Sequence, residues 1–198
     1  MMLPSQFVRL YGWVRFSWDA LALPRASYFY NEQYSIRRAS RQEKGQVWQV
    51  VCSCFAQDSC WNDVFQILVP YLQHDLDERF AHRESECLVI THGNRIIAAS
   101  AVRLDPESEN HLTTGPCITS EYRNRGLGSL LLKESLLMAA GAGTTTIFGV
   151  TRITSQAGKF VYPKFGGTST SFVPDLHLDI LRGYRQDRVR ARAGAGRH

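Results

Sequence analysis

Arg123, Arg125, Gly126 and Gly128 fall within the run Glu121-Tyr122-Arg123-Asn124-Arg125-Gly126-Leu127-Gly128-Ser129, and this spacing can bind an anion. The glycines let the backbone turn tightly, without a Cβ, into a long apolar stretch that reads as a helix. At the first turn of such a helix the unpaired N–H groups point outward and favour a phosphate or pyrophosphate. The two arginines add positive charge. Other phosphate-binding patterns do not fit. The Gly-Lys-Ser/Thr of a P-loop is missing, and with it the phosphate lysine and the metal-chelating hydroxyl. The full Gly-x-Gly-x-x-Gly of a dinucleotide fold is missing too, and no acidic residue ends a following strand.

The elements that must position this loop are legible in the periodicity. Tyr34–Arg38 reads as a short strand. Ser40 with Glu43 forms a capping box opening a helix whose stripe is Val47, Val50, Val51, Cys54 and Phe55. A second helix is predicted from about Cys60 through Trp61, Val64, Phe65, Leu68, Leu72, Leu76 and Phe80, kinked or divided at Pro70. Cys87–Thr91 and Arg95–Arg103 flank a His92-Gly93-Asn94 turn and predict a hairpin. Leu112–Ile118 reads as a strand leading into the loop. The helix from about Leu127 to Ala140 is apolar on most of its surface, which predicts burial on more than one side. Gly141 and Gly143 stop it. Thr144–Val150 is a β-branched strand, a short helix covers about Ser155 to Tyr162, and Phe172 with Leu176–Leu181 belongs to the last strand or strands. The fold class is α/β of the α+β type: a mixed, largely antiparallel sheet of six or seven strands flanked by helices, not a doubly wound unit.

With 198 residues and 44% hydrophobic content the chain can build one domain with appendages. The net charge of +5 resides in the tail 182–198, which carries six arginines and one aspartate, so residues 1–181 are balanced. Residues 1–33 read as an apolar, aromatic arm, 34–181 as the domain, and 182–198 as a solvated tail rather than a specific nucleic-acid anchor. The arm is interrupted by Arg9 and Arg15, and no stretch reaches the ~18 apolar residues of a bilayer span, so no membrane partner is expected. The arm packs on the domain or on a neighbouring copy, as in a homodimer. Five cysteines without a CxxC pair or a zinc-like Cys/His spacing suggest free thiols, a cytoplasmic setting and no metal.

Arg123-x-x-Gly126-x-Gly128 at a strand–helix junction resembles the acyl-CoA signature of the GNAT superfamily of N-acetyltransferases. The wider run from Ile118 to Leu131 is similar to that family's Val-x-Pro-Glu-Tyr-Arg-x-Arg-Gly-Ile-Gly-x-x-Leu-Leu, with Ser120 where proline is usual. A second block, Ser155-x-x-Gly158-x-x-x-Tyr162-x-x-x-Gly166, resembles the family's Asn-x-x-Ala-x-x-x-Tyr-x-x-x-Gly-Phe. Ser155 stands for Asn, Gly158 for Ala and Gly167 for Phe. The order of elements agrees over roughly residues 34 to 181, and the family's sheet is splayed at its central strands.

The resemblance implies an acetyl-CoA cosubstrate and direct transfer of the acetyl group to a primary amine on a small molecule or peptide. The cofactor-binding set carried over is Cys117, Ile118, Arg123, Asn124, Arg125, Gly126, Leu127, Gly128, Ser129 and Ser155. The amides from Arg125 to Ser129 would hold the pyrophosphate, with the Arg123 and Arg125 side chains as supplements. The strand ending at Cys117–Ile118 would pair with the pantetheine arm, one of its N–H groups polarising the thioester carbonyl. Ser155 would hydrogen-bond the pantetheine, and Tyr162 would be the general acid that protonates the departing thiolate. Cys117 near the thioester reads as a buried strand cysteine rather than a nucleophile. His111 and Glu86 are the candidates for the general base. Two alternatives share the fold: a longer acyl-CoA or acyl-carrier-protein donor, and a non-catalytic CoA-binding module.

Overall fold

The computed structural model describes residues 12–24, 33–81 and 85–173. Residues 1–11 of the arm, the expected strand Leu176–Leu181 and the tail 182–198 lie outside the described residues. Strands here form two antiparallel sheets. One has the order β2 (Tyr34–Arg38), β3 (Cys87–His92), β4 (Arg95–Ala101) and β5 (Cys117–Ile118). The other sets β1 (Trp13–Asp19) between β6 (Thr146–Arg152) and β7 (Thr168–Ser171). Four α-helices are described: α1 (Lys44–Gln57), α2 (Phe65–Ala81), α3 (Leu127–Gly141) and α4 (Gln156–Phe160).

The central strands of the four-stranded sheet, β3 and β4, are covered on both faces and therefore read as continuous apolar runs. Along β3, Cys87 and Val89 pack with α1 and α2, while Leu88 and Ile90 pack with Leu127 and Leu131 of α3. The β3–β4 turn is the two residues Gly93-Asn94, with Gly93 at φ +57°. The Ser40 N–H donates to Glu43 Oε2 at 2.7 Å, and a 3-10 turn, Arg41–Glu43, leads into α1. Val47, Val50, Val51 and Phe55 of the predicted stripe are buried, whereas Cys54 is only partly so. α3 touches both sheets from one side: Leu127 and Leu131 meet β3 and β4, and Leu132, Leu136 and Ala139 meet β1 and β6.

Three expectations are corrected. The second helix begins at Phe65 after a separate 3-10 turn at Ser59–Trp61, and Pro70 lies inside it without dividing it. Pro70 and Gln66 are both exposed, so the carbonyl that loses its partner faces water instead of the core. The predicted strand Leu112–Ile118 is broken. Gly115 takes a left-handed φ of +62° and Pro116 has no N–H to give, so Leu112 makes only an isolated bridge to Val102 and pairing with β4 resumes at Cys117. Third, Trp13–Asp19, read as part of the arm, is a strand in register with β6 from Trp13↔Arg152 to Asp19↔Thr146.

The two sheets meet at one point. The His111 and Leu112 N–H groups donate to Phe148 O at 2.8 and 3.3 Å, and the Phe148 N–H donates back to His111 Nδ1 at 3.0 Å. The Val150 N–H donates to Asn110 Oδ1 at 3.1 Å. Past this junction the Gly115-Pro116 step carries β5 away from β6, and a wedge opens between the sheets.

His111 is fully buried, and burial lowers its pKa from the usual 6.5 or so. The folded ring is therefore neutral where the unfolded one has begun to protonate. This contribution to stability is fully present above about pH 6.5 and is lost as the pH falls toward the lower folded value. His111→Asn keeps an acceptor for the Phe148 N–H but does not titrate. Thermal melts between about pH 8 and about pH 5 should show a smaller fall in Tm for the variant than for the parent; equal falls would remove His111 from the account.

Candidate functional site

The wedge holds a cleft of about 1250 Å³, lined from β5, the loop after it, the first turn of α3, β6, α4 and the end of α1. At one end the chain turns through two left-handed residues, Asn124 at φ +61° and Gly126 at φ +79°, into α3. Among the described residues, the N–H groups of Asn124, Arg125, Gly126, Leu127 and Gly128 donate to no protein acceptor. These free donors stand at the positive end of a 15-residue helix, an arrangement that attracts phosphate oxygens. Ser129 leaves the expected set, because its N–H closes onto Gly126 O at 3.1 Å.

The two arginines are struts. Arg123 Nε donates to Ile118 O at 3.1 Å. Arg125 reaches Tyr34 Oη and Glu121 O, both at 3.1 Å, and its guanidinium lies 5.1 Å above the Tyr122 ring. Both hold the loop against the sheet, whereas the sequence reading aims them at the anion. The exposed cation at the helix start is instead Lys164, whose Nζ donates to Ser129 Oγ at 2.7 Å. The sequence reading misses it, since the contact joins residues 35 positions apart.

β5 supplies the next feature. Ala98 pairs with Ile118 and Ala99 with Cys117, and the Thr119 N–H donates to Ile97 O at 3.0 Å. That register puts Cys117 and Thr119 at the hydrogen-bonded positions and turns the N–H and C=O of Ile118 away from β4, toward the cleft. The C=O is taken by Arg123 and by Cys54 Sγ at 3.2 Å. The N–H remains available to a ligand.

Tyr162 closes the opposite wall. Its ring is 1% exposed and stands edge-on to Phe16 and Trp18 of β1, with both centroids 5.4 Å away. Trp18 Nε1 in turn donates to Lys164 O at 3.0 Å, fixing the turn that carries the tyrosine. The hydroxyl points at Gly115, where an added Cβ would lie 2.5 Å from Oη. Burial first, and the Cys117 sulfur second, push the phenol well above its ordinary pKa, so it holds its proton at neutral pH. A protonated hydroxyl facing the cleft can act as an acid.

The other predicted residues are placed differently. Ser155 lines the cleft, but its oxygen accepts from the Gly158 N–H at 2.9 Å and its proton goes to Arg152 O at 2.8 Å. It caps α4 and has no donor left for pantetheine. Cys117 is 6% exposed, with Sγ 3.7 Å from Thr114 O. As a base, His111 is ruled out in its neutral form, because Nδ1 already accepts from Phe148 and the ring is no part of the cleft lining. Glu86 is paired with Arg79 and lies outside the lining as well. Phe55, Trp61, Leu68 and Leu72, members of one core cluster, give the cleft an apolar wall, and its lining also includes Asp58, Asp105, Glu107 and Glu109. Among the described residues no helix is long and apolar enough to cross a membrane.

Comparison with known proteins places this arrangement. A family model described as the acetyltransferase (GNAT) family matches residues 53–166, from the middle of α1 through the Tyr162 turn. Similar solved structures include a Drosophila protein, with 16% identity and a TM-score of 0.56 over 80% of this chain and 48% of that chain. A GCN5-related N-acetyltransferase from Sphaerobacter thermophilus gives 14% and 0.55 over 80% and 48%. A conserved protein of unknown function from Staphylococcus epidermidis gives 17% and 0.53 over 80% and 57%. At these identities the likeness is one of fold, and the chain spans about half the length of the structures it matches. No curated protein matches the chain significantly.

Gly115 is the tightest point of the wedge. Gly115→Ala strains a left-handed backbone and drives a methyl group into Tyr162 Oη, so urea denaturation should register a loss of about 1–3 kcal/mol. Adding Tyr162→Phe removes the offending oxygen and should recover part of that loss. A purely additive double variant would mean that the two residues do not meet as described.

Proposed function

The chain belongs to the acetyltransferase (GNAT) family, and from that premise we propose that it transfers an acetyl group from acetyl-CoA directly to a primary amine. The observation that carries this reading is the row of free amides from Asn124 to Gly128, which opens on the same cleft as the Tyr162 hydroxyl. Anion site and acid thus flank one channel, with an unpaired strand edge between them.

The parts take these roles. The amides of Asn124, Arg125, Gly126, Leu127 and Gly128 bind the pyrophosphate, and Lys164 adds a charge that Arg123 and Arg125 do not deliver. The edge of β5 at Cys117–Ile118 receives the pantetheine arm, and the Ile118 N–H polarises the thioester carbonyl, stabilising negative charge on its oxygen. Acetyl-CoA supplies the activated acyl carbon. Tyr162 gives its proton to the departing sulfur, and because desolvation raises the pKa of both phenol and thiol in this cleft, their match survives burial. Five free cysteines fit a reducing compartment, the cytoplasm, as its setting.

A second reading rests on the apolar wall of Phe55, Trp61, Leu68 and Leu72, which is more surface than a two-carbon group needs. It supports a longer acyl-CoA, or an acyl-carrier protein, as donor. Calorimetry with acetyl-CoA, desulfo-CoA and longer acyl-CoAs separates the two, and thiol release over an amine panel distinguishes an enzyme from a CoA-binding module.

Tyr162→Phe should lower kcat by about 10²-fold or more while leaving CoA affinity within about twofold. Unchanged turnover would refute its role as the acid. Lys164→Ala should weaken CoA binding several-fold with kcat nearly constant, and the difference should shrink at high salt. A salt-independent difference would mean that Lys164 acts through packing.

A further inference from the structure

Cys54 is the one member of the α1 stripe that does not enter the core. Its thiol donates to Ile118 O at 3.2 Å, at the cleft wall. In a strand the N–H and C=O of one residue point to the same side. The sulfur therefore sits beside the free Ile118 N–H, the group assigned above to the thioester oxygen. Its surroundings single it out. Cys117 is its neighbour in the lining, and Arg123, held on the same carbonyl at 3.1 Å, brings a guanidinium alongside.

We propose that Cys54 is an acyl acceptor in its own right, taking the acyl group from the CoA thioester as a protein-held thioester on α1 when no amine occupies the cleft. This rests on the acyl-CoA reading of the site. The exchange balances without any oxidant or metal. A bond forms between Cys54 Sγ and the acyl carbon, and the bond from that carbon to the CoA sulfur breaks. The electron pair leaves with the CoA sulfur, which takes the Tyr162 proton, while the proton released by Cys54 returns through solvent to the Tyr162 oxygen. One thioester replaces another, so the step is close to thermoneutral and reverses with excess CoA.

The remaining cysteines are poorer candidates. A hydrogen bond from Cys117, aided by the Arg123 charge against the cost of burial, holds the Cys54 thiol below its usual range. The same contact, together with burial, raises Cys117 and keeps it a thiol. Burial pushes Cys60 and Cys87 up to about 12. Cys52 lies outside the cleft lining. Cys54 is thus the cysteine whose place at the Ile118 edge of the cleft suits attack on the acyl carbon.

The test incubates the full chain with acetyl-CoA and no amine, quenches in acid and maps peptides by mass spectrometry, with CoA affinity measured on the same sample by calorimetry. The expected result is one acetyl group on Cys54, released by hydroxylamine, forming roughly tenfold faster than any label on Cys52. Cys54→Ser should abolish it and Cys52→Ser should not. Cys117→Ala should slow it several-fold by removing the hydrogen bond. The decisive measurement is on the parent chain, so it does not depend on a variant folding. CoA binding without a Cys54 thioester, or labelling spread equally over Cys52 and Cys60, overturns the proposal and leaves the transferase reading intact. Failure to bind CoA at millimolar concentration overturns both.

Discussion

The pinning of two sheets at His111 and Phe148 is the constraint on which the rest of this molecule depends. A continuous sheet would satisfy the peptide groups of β5 and β6 on each other and leave no edge for a ligand. A pair of separate sheets would leave the edge unsupported. Here two backbone hydrogen bonds, one to a neutral imidazole and one to the Asn110 side-chain oxygen hold the sheets together at a single junction. Gly115 and Pro116 then turn β5 outward just beyond it. The Ile118 N–H has no strand partner because of that divergence, and α3 spans both sheets from one side and keeps the opening fixed.

Charge in the loop is divided between scaffold and site in a way that residue type alone does not predict. Arginines beside a Gly-x-Gly turn look like phosphate ligands, yet both guanidiniums make directed bonds to carbonyls or a phenol, and that of Arg125 also lies over the Tyr122 ring. A planar fork suits such bracing because several donors can be fixed at once. Anion attraction is left to backbone amides, whose geometry is set by Asn124 and Gly126, and to Lys164, a point charge on a flexible stem. Rigid parts set the turn, and a mobile cation completes it.

This division explains what the sequence made legible. The α1, α2 and α3 helices, the hairpin and the glycine turn were readable because each rests on local periodicity or on backbone freedom at one residue. Val47, Val50, Val51 and Phe55 behave as their spacing says. β1 was not readable as part of the domain, because its ladder joins Trp13 to Arg152 and its aromatics carry no mark of their partner. The continuous strand from Leu112 was expected because β-branched residues surround a Gly-Pro step whose φ is set by tertiary contacts. Ser155 sits where the family pattern has an asparagine, and its shorter side chain reaches only the helix it starts. Residue type marks the candidate groups, while non-local pairing decides what each of them touches.

The unexpected strand also sets the chemistry. Phe16 and Trp18 of β1 hold the Tyr162 ring edge-on from behind, aromatic contacts of about 0.5–1.5 kcal/mol each, and Trp18 also ties the following turn through Lys164 O. Tyr162 and the exposed Lys164 are thus mounted on the three-stranded sheet. The Ile118 peptide, Cys54 and the amide row are mounted on the four-stranded sheet and its helices. The two sides of the cleft face each other across the wedge and meet where Tyr162 Oη approaches Gly115 and where Lys164 Nζ donates to Ser129 Oγ. Their separation is therefore set by the angle between the sheets and by the Lys164–Ser129 hydrogen bond. The hydrogen bonds at the His111 junction and the packing of α3 on both sheets hold that angle. That makes a buried, non-reacting histidine a positioning element for a cleft it does not line.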